Sequence, residues 1–593
     1  MQLADPDRHH FIVECRLEDP LPRQAFTLPS WIPGSYLLRE FARHIVALEA
    51  TVDGKPVSIE QTAKSTWVVE SSGGPIVVRA VIHGFDLSVR GAYFDRDRAF
   101  FNGTSLFFMP EGRTDEAVEL SVDRPPHATE WQVATAMQSA DIDAQGFGRY
   151  VAENYDELID HPFEIGNHAV VEFEAAGVGH RLVVAGRFDA DLDRVAIDLT
   201  QLCAAQIEFF GRPAPFSNYT FLGLAVGNGY GGLEHRASSS LVFRRTDLPK
   251  AGDPGISRSY QRFLGLVSHE YFHSWHIKRS KPAAFTPFQL DRRNHTRLLW
   301  VFEGITTYYQ ERFLLNSGLL SVAAHLRRMA EIMNRVYRAP GRHHQSVESS
   351  SFNAWDRLYK PEPNSPNQNV SYYSKGAMIA LALDLELRRA DPPTVTLDDV
   401  VLELWKRFGR QDIGLPEDGF EALARELGGD QIGSFLSAAT RGTTDLDLET
   451  LLRDFGLNLK FRQTEGPSDT GGTPPKLETP RLSLGANFEA DGAGLKLTAV
   501  FDGQPAEAAG LAPGDIIVAL DQIRVTSDTI VDQLARFDKG DEIVISFFRG
   551  DELNESRLRL RAAPDDTCFI EIDQSAEPDA VGRRQAWLGD VDS

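Results

Sequence analysis

The sequence predicts a multidomain α+β protein: a β-sheet region first, a mixed region that turns helical, and a small compact unit near the end. Three observations carry this reading. The first ~165 residues hold short β-branched and aromatic runs between Gly and Pro turns, as in Phe11 to Leu17, Ser65 to Val69 and Ile76 to Ile82. Strand-like runs continue through Ala169 to Phe173, Arg181 to Ala185 and Phe221 to Val226, and then the apolar spacing lengthens to that of a helix. Gly466 to Pro480 is rich in Gly, Pro, Ser and Thr and reads as a linker, and the ~85 residues beyond it have the size of a small domain. A chain of 593 residues is also too long for one hydrophobic core.

Composition narrows the function. Asp and Glu number 85 against 61 Lys and Arg, a net charge of −24. Nucleic-acid binding needs clustered basic residues, so that partner class is excluded. The acidity keeps the surface solvated and weakly attracts cationic peptide N-termini. Cys15, Cys203 and Cys568 lie far apart and spell neither a metal cluster nor a disulfide framework, which suits a reducing compartment. No run is apolar enough to span a membrane, and Met1 to His10 lacks the apolar core of a signal peptide. The expectation is a cytoplasmic protein with no membrane partner.

The chemistry starts at His269-Glu270-Tyr271-Phe272-His273, which reads HExxH. Tyr260, Phe263, Leu264, Val267, Tyr271 and Trp275 recur at helical spacing and form a buried stripe, and Pro282 lies past the helix end. On that helix, positions four apart share a face one turn apart. His269 and His273 therefore present both imidazoles to one metal ion, and Glu270 stands beside the first as a general base for a metal-bound water.

A catalytic zinc takes three protein ligands and keeps one position open. The third candidate is Glu303, 30 positions after His273, in Leu299-Trp300-Val301-Phe302-Glu303-Gly304-Ile305. That spacing lets a second helix return, with Leu298, Phe302, Ile305, Tyr309 and Phe313 as its apolar face and Gly318 as its stop. A Glu among Leu, Trp, Val and Phe is costly unless it is paired or binds a metal. Pairing to Arg297 or Arg312 is the other reading of the same residue.

HEYFHSW followed by LLWVFEGITTYY resembles the gluzincin metallopeptidases, and more narrowly the glycyl aminopeptidase family. Leu28 to Tyr36 (LPSWIPGSY), Tyr155 to Glu164 (YDELIDHPFE) and Gly231 to His235 (GGLEH) support the narrower match, which runs to about residue 563. Because the resemblance is already under way at Met1, the natural start can lie upstream. One departure is His276, where the family pattern expects Asn.

The resemblance implies one Zn2+ held by His269, His273 and Glu303, with Glu270 as the base. It implies that Gly231 and Gly232 form an edge strand along the substrate and that Glu234 receives the free amino group. Gly at such an edge permits close approach of another backbone. In Ser371-Tyr372-Tyr373-Ser374-Lys375-Gly376, matching Tyr-x-Lys-Gly residue by residue selects Tyr373 as the oxyanion donor, with Tyr308 and Tyr309 as rivals. Gln504 to Asp521 resembles a bacterial-type PDZ domain, whose carboxylate nest would be Leu484 to Asn487. That domain would bind a peptide C-terminus or serve self-association.

The expected organisation is an N-terminal β domain (1–165), a thermolysin-like catalytic domain (166–335) and a helical domain completing the cleft (336–462). A linker (463–480), a PDZ domain (481–563) and a polar, unstructured tail (564–593) follow. Residues 339–370 are expected to be a long polar loop bordering the cleft. The expected function is a zinc aminopeptidase acting on peptides with a free N-terminus, with a family preference for Gly or Ala. The alternative is a zinc endopeptidase whose PDZ domain recruits protein C-termini.

Overall fold

The computed structural model describes all residues except 127, 390–393, 467, 477–480 and 590–593. The chain forms two compact units. The first comprises Met1–His295, Asn316–Leu319 and Trp405–Leu415; the second comprises Thr296–Leu315, Leu320–Leu404 and Pro416–Ser593. Among the described residues no helix is long and apolar enough to cross a membrane.

The first unit opens with antiparallel sheets. Strand β3 (Ile76–His83) lies between β1 (His10–Leu17) and β2 (Ile45–Val52), with Phe11 opposite Ile82 and Ala50 opposite Val78. Ile76, Val78, Ala80 and Ile82 are buried while the residues between them are not, the period-2 pattern of a sheet with one face in the core.

A second sheet in this unit is mixed. Its order is β4 (Ala169–Ala175), β5 (Val178–Ala185), β6 (Asn218–Val226), β8 (Ser238–Arg244), β7 (Gly231–Glu234). β5, β6 and β8 are parallel, and helix α1 (Leu192–Phe210) makes the β5–β6 crossover. β7 is antiparallel to β8 and forms the open edge. Helix α2 (Arg258–Phe272) carries the HExxH residues; Ser257 caps its first turn by accepting from the Tyr260 N–H at 3.1 Å. Tyr260, Phe263, Leu264, Val267, Tyr271 and Trp275 are all buried, as the spacing predicts. The Tyr271 hydroxyl donates to His180 Nε2 at 2.8 Å, tying the helix to β5.

In the second unit, Trp300–Gly304 forms a π-helical turn that leads into α3 (Ile305–Asn316). Helices α4 (Val322–Tyr337) and α5 (Tyr372–Arg388) follow. The π turn packs on α5 through Gly304 and Gly376; a Cβ on Gly304 would lie 2.5 Å from the Gly376 Cα. The PDZ-like sheet runs β10 (Ala486–Ala490), β11 (Leu495–Val500), β12 (Ile516–Leu520), β13 (Glu542–Arg549), β14 (Glu552–Arg559) around Leu495, Leu497, Ile517, Ile543, Ile545 and Leu558.

Three sequence expectations fail here. The described part of the 463–480 linker is not a free spacer: Asp469 accepts from Arg462 Nη1 at 2.6 Å, and Asn334 Nδ2 donates to the Thr470 carbonyl at 3.1 Å. Residues 467 and 477–480 of that stretch lie outside the described residues. The tail is structured as well. β15 (Thr567–Ile572) pairs antiparallel with β9 (Leu457–Arg462), and α6 (Pro578–Leu588) buries Ala580, Arg584, Trp587 and Leu588. Those four lie on one helical face, so a mostly polar composition still supplies a stripe. The 339–370 stretch is likewise not one loop, since it holds short helices at Val347–Phe352 and Ser365–Gln368.

Candidate active site

His273 is the C-cap of α2 and keeps helical φ and ψ of −60° and −18°. The His269 and His273 rings therefore stay on one face, with centroids 4.6 Å apart and planes at 89°. His273 Nδ1 lies 2.9 Å from the His276 carbonyl. A carbonyl only accepts, so Nδ1 carries the proton and the Nε2 lone pair is left for a metal. The partner is the backbone of residue 276, so a His in place of the family's Asn leaves this bond intact.

Glu234, Glu270 and His273 each place one ligand atom within 4.8 Å of the others, and all three are buried. Two carboxylates this close repel unless a cation or a shared proton lies between them. With two imidazoles beside them, these carboxylates suit a cation, whether a metal ion or an ammonium group. A Cβ on Gly232 would collide with the Glu270 carboxylate, so only Gly lets the edge strand approach α2 this closely.

The hydrogen bonding of β7 shows what its edge offers. The His235 N–H donates to the Ser238 carbonyl at 2.9 Å, so those two form a hydrogen-bonded pair at the turn. Alternation along the antiparallel ladder then turns the backbone groups of Glu234 and Gly232 away from β8, toward the open edge. Arg90 Nη2 donates to the Gly232 carbonyl at 3.1 Å from that side.

The two family motifs upstream brace this strand. In LPSWIPGSY, Gly34 has φ of +93°, and a Cβ there would sit 2.5 Å from Glu234 Oε1. Trp31 is buried and its indole N–H donates to the Gln289 carbonyl at 2.9 Å. In YDELIDHPFE, the buried Asp160 accepts from the Arg236 N–H at 2.7 Å and pairs with Lys278 Nζ at 2.6 Å. Burial alone would raise the Asp160 carboxyl; Lys278, His235 and Arg236 outweigh it and hold the group well below the usual carboxylate range. Arg236 also pairs with Asp156, and Glu164 accepts from Arg98 Nε at 2.9 Å.

In the second unit Glu303 lies in the π turn and is buried. π bulges within helices concentrate at functional sites. The arginines weighed as its partners are engaged elsewhere: Arg297 lies over the Phe352 ring and Arg312 Nη1 donates to the Trp587 carbonyl at 2.5 Å. Tyr308 and Tyr309, the rivals of Tyr373, donate to Asp384 and Asp398, each at 2.6 Å. Tyr373 is the second residue of α5, half-buried, with its hydroxyl 3.1 Å from that of Tyr359.

Gly34 and Asp160 lie in the LPSWIPGSY and YDELIDHPFE motifs, which by themselves give neither residue a role. Gly after Pro in WIPGSY was the readable signal for the first. Arg90 and Tyr359 carry no signal, because neither belongs to a motif.

Comparison with known proteins places this architecture. Residues 1–167 match the Peptidase M61 N-terminal domain, 262–379 match the M61 glycyl aminopeptidase family, and 483–560 match the PDZ domain. The solved aminopeptidase N family protein from Idiomarina loihiensis is 39% identical, with a TM-score of 0.95, over 99% of each chain. This chain belongs to the M61 glycyl aminopeptidase family. The M61 chain is also similar to an M1 zinc metallopeptidase from Deinococcus radiodurans, at 14% identity and a TM-score of 0.49, over 75% of this chain and 93% of that one. A probable periplasmic serine endoprotease DegP-like of Chlamydia trachomatis serovar D is 34% identical over 73 residues, 12% of this chain; the chain spans 15% of that relative's length. Within the M61 match at 262–379 fall His269, Glu270, His273, Glu303 and Tyr373; Glu234 lies outside the matched segments.

Proposed function

We propose that this protein is a zinc-dependent aminopeptidase that removes a small N-terminal residue, Gly or Ala, from peptides. The observation that carries the reading is the buried grouping of Glu234, Glu270 and His273, with His269 beside His273 and the edge strand β7 alongside. His269, His273 and Glu303 would hold one zinc ion. When bound, zinc supplies a Lewis acid that polarises a carbonyl and makes water acidic enough to attack at neutral pH.

The chain's own residues do the rest. Gly232 and Glu234 offer outward backbone groups along which a peptide lies as an added strand, with Gly231 beside them. Glu234 pairs with the peptide ammonium and so sets the first peptide bond at the site. Glu270 takes a proton as water attacks and returns it to the leaving amine. The Tyr373 hydroxyl donates to the carbonyl oxygen as negative charge gathers there. The preference for Gly rests on the family description, and that for Ala on the family resemblance of the sequence. The cysteines are free, which supports a cytoplasmic placement. The PDZ domain would bind a peptide C-terminus or a second copy.

One short glycyl peptide, free and N-acetylated, with and without a chelator, tests this. Cleavage of the free form alone, lost on chelation and restored by zinc, is the expected result. Internal cleavage of both forms would make the protein an endopeptidase.

A further inference from the structure

The stretch from Asn353 to Asn369 reaches two parts of the second unit that the reaction alone would not connect. Near its start, the Tyr359 hydroxyl lies 3.1 Å from the Tyr373 hydroxyl. Near its end, the buried Asn367 clasps the backbone of the PDZ domain. Its Nδ2 donates to the Val500 carbonyl at 2.8 Å and its Oδ1 accepts from the Asp502 N–H at 3.3 Å. Only one orientation of the amide satisfies both bonds. Residues 360–364 between Tyr359 and Asn367 are exposed and are ordered by turn bonds, from the Glu362 N–H to Ser365 Oγ at 2.8 Å and from the Ser365 N–H to the Glu362 carbonyl at 2.9 Å. The Tyr359 N–H bonds the Ala354 carbonyl at 3.2 Å, Ala354 and Trp355 are buried, and the Asn369 N–H bonds the Ser365 carbonyl at 2.8 Å.

A phenol carries one proton. Tyr373 can offer that proton to a substrate oxygen only when it is not already given to Tyr359. A hydrogen bond running from Tyr359 to the Tyr373 oxygen removes the competition, and it polarises the Tyr373 O–H toward donation. We propose that Tyr359 is a positioning residue for Tyr373 and that the PDZ domain holds it in place through Asn367. The inference rests on the role given to Tyr373 above. It gives the PDZ domain work within its own chain, with no bound ligand required.

The test measures turnover of a free glycyl peptide by the full-length, zinc-loaded chain. The variants are Tyr359→Phe, Tyr373→Phe, both together, and Asn367→Ala with and without Tyr359→Phe. Zinc content and melting temperature are recorded for each. Tyr359→Phe is expected to lower kcat about tenfold, the worth of one neutral hydrogen bond, with KM and melting temperature unchanged. In the Tyr373→Phe background it should have no further effect. Asn367→Ala should reproduce part of the kcat loss and add nothing once Tyr359 is Phe. A Tyr359→Phe loss of equal size in both tyrosine backgrounds, or one in KM alone, would overturn the pairing. Full kcat in Asn367→Ala would remove the PDZ domain from it. A fully active Tyr359→Phe beside an impaired Tyr373→Phe sinks the inference alone. A fully active Tyr373→Phe sinks the catalytic role of Tyr373 and the pairing with it.

Discussion

At Gly34 the backbone turns with φ of +93° and passes the Glu234 carboxylate with no room for a side chain. Any other residue there meets two penalties at once, a left-handed backbone and an overlap with a buried carboxylate. Gly34→Ala is therefore expected to displace the Glu234 carboxylate, the proposed amine anchor. KM for a free glycyl peptide should rise at least tenfold while zinc content stays at the wild-type level, a split read from kinetics and metal analysis on one preparation. Loss of zinc instead would show that the loop supports the metal ligands. The proton on His273 Nδ1 is settled at the same scale, by the His276 carbonyl, and it leaves Nε2 as the donor a metal needs.

At the scale of elements, β7 is placed by what surrounds it rather than by its own four residues. The helix and strand of the YDELIDHPFE motif bring Asp160 under the turn that follows β7, where it takes the Arg236 N–H and Lys278 together. Removing one charge of a buried pair leaves the other uncompensated and costs about 3–5 kcal/mol. Asp160→Asn should lower the melting temperature measurably and weaken binding at the strand edge. The folded pKa of Asp160 lies below its unfolded value of about 4. Its contribution is thus complete above pH 4 and lost only as pH falls toward the folded value. A destabilisation by Asp160→Asn that vanished at pH 6 would contradict this. Tyr271 adds a second brace, since its hydroxyl joins α2 to β5 through His180.

For the whole molecule, two buried histidines set a pH limit. Burial holds His180 in the first unit and His325 in the second down at about 4, against an unfolded value of about 6.5. Between those values the unfolded chain binds protons that the folded chain does not, so stability is full above pH 6.5 and falls as pH drops toward 4. Melting temperatures taken from pH 7.5 to 4.5 should decline across that window, and His325→Gln should flatten the decline. An unchanged slope in that variant would show that His325 does not contribute to it.

The candidate site was legible in the chain wherever chemistry is written in local spacing. HExxH places two imidazoles on one helical face whatever surrounds the helix, because the face is set by 3.6 residues per turn. The helix around Glu303, the tyrosine beginning α5 and the PDZ unit could likewise be located, as short motifs with their own periods, though nothing in the sequence marked the turn at Glu303 as π-helical. What residue types alone left open were choices between equals. Tyr308, Tyr309 and Tyr373 are alike as residues; the Tyr-x-Lys-Gly resemblance selects Tyr373, and the bonds to Asp384 and Asp398 show what the other two do instead. The tail looked unstructured because composition counts polar residues, whereas folding asks which of them share a face; Ala580, Arg584, Trp587 and Leu588 do. By itself, then, the sequence determined the peptidase class, the spacing of the candidate metal ligands and the order of elements, since these follow from motif chemistry and local periodicity. Only the tertiary structure decided that Gly34 faces Glu234, that Arg90 reaches the edge of β7, and that Asn367 joins the Tyr359 segment to the PDZ domain. Those contacts join residues far apart in the chain, and no local pattern encodes which distant surfaces burial will bring together.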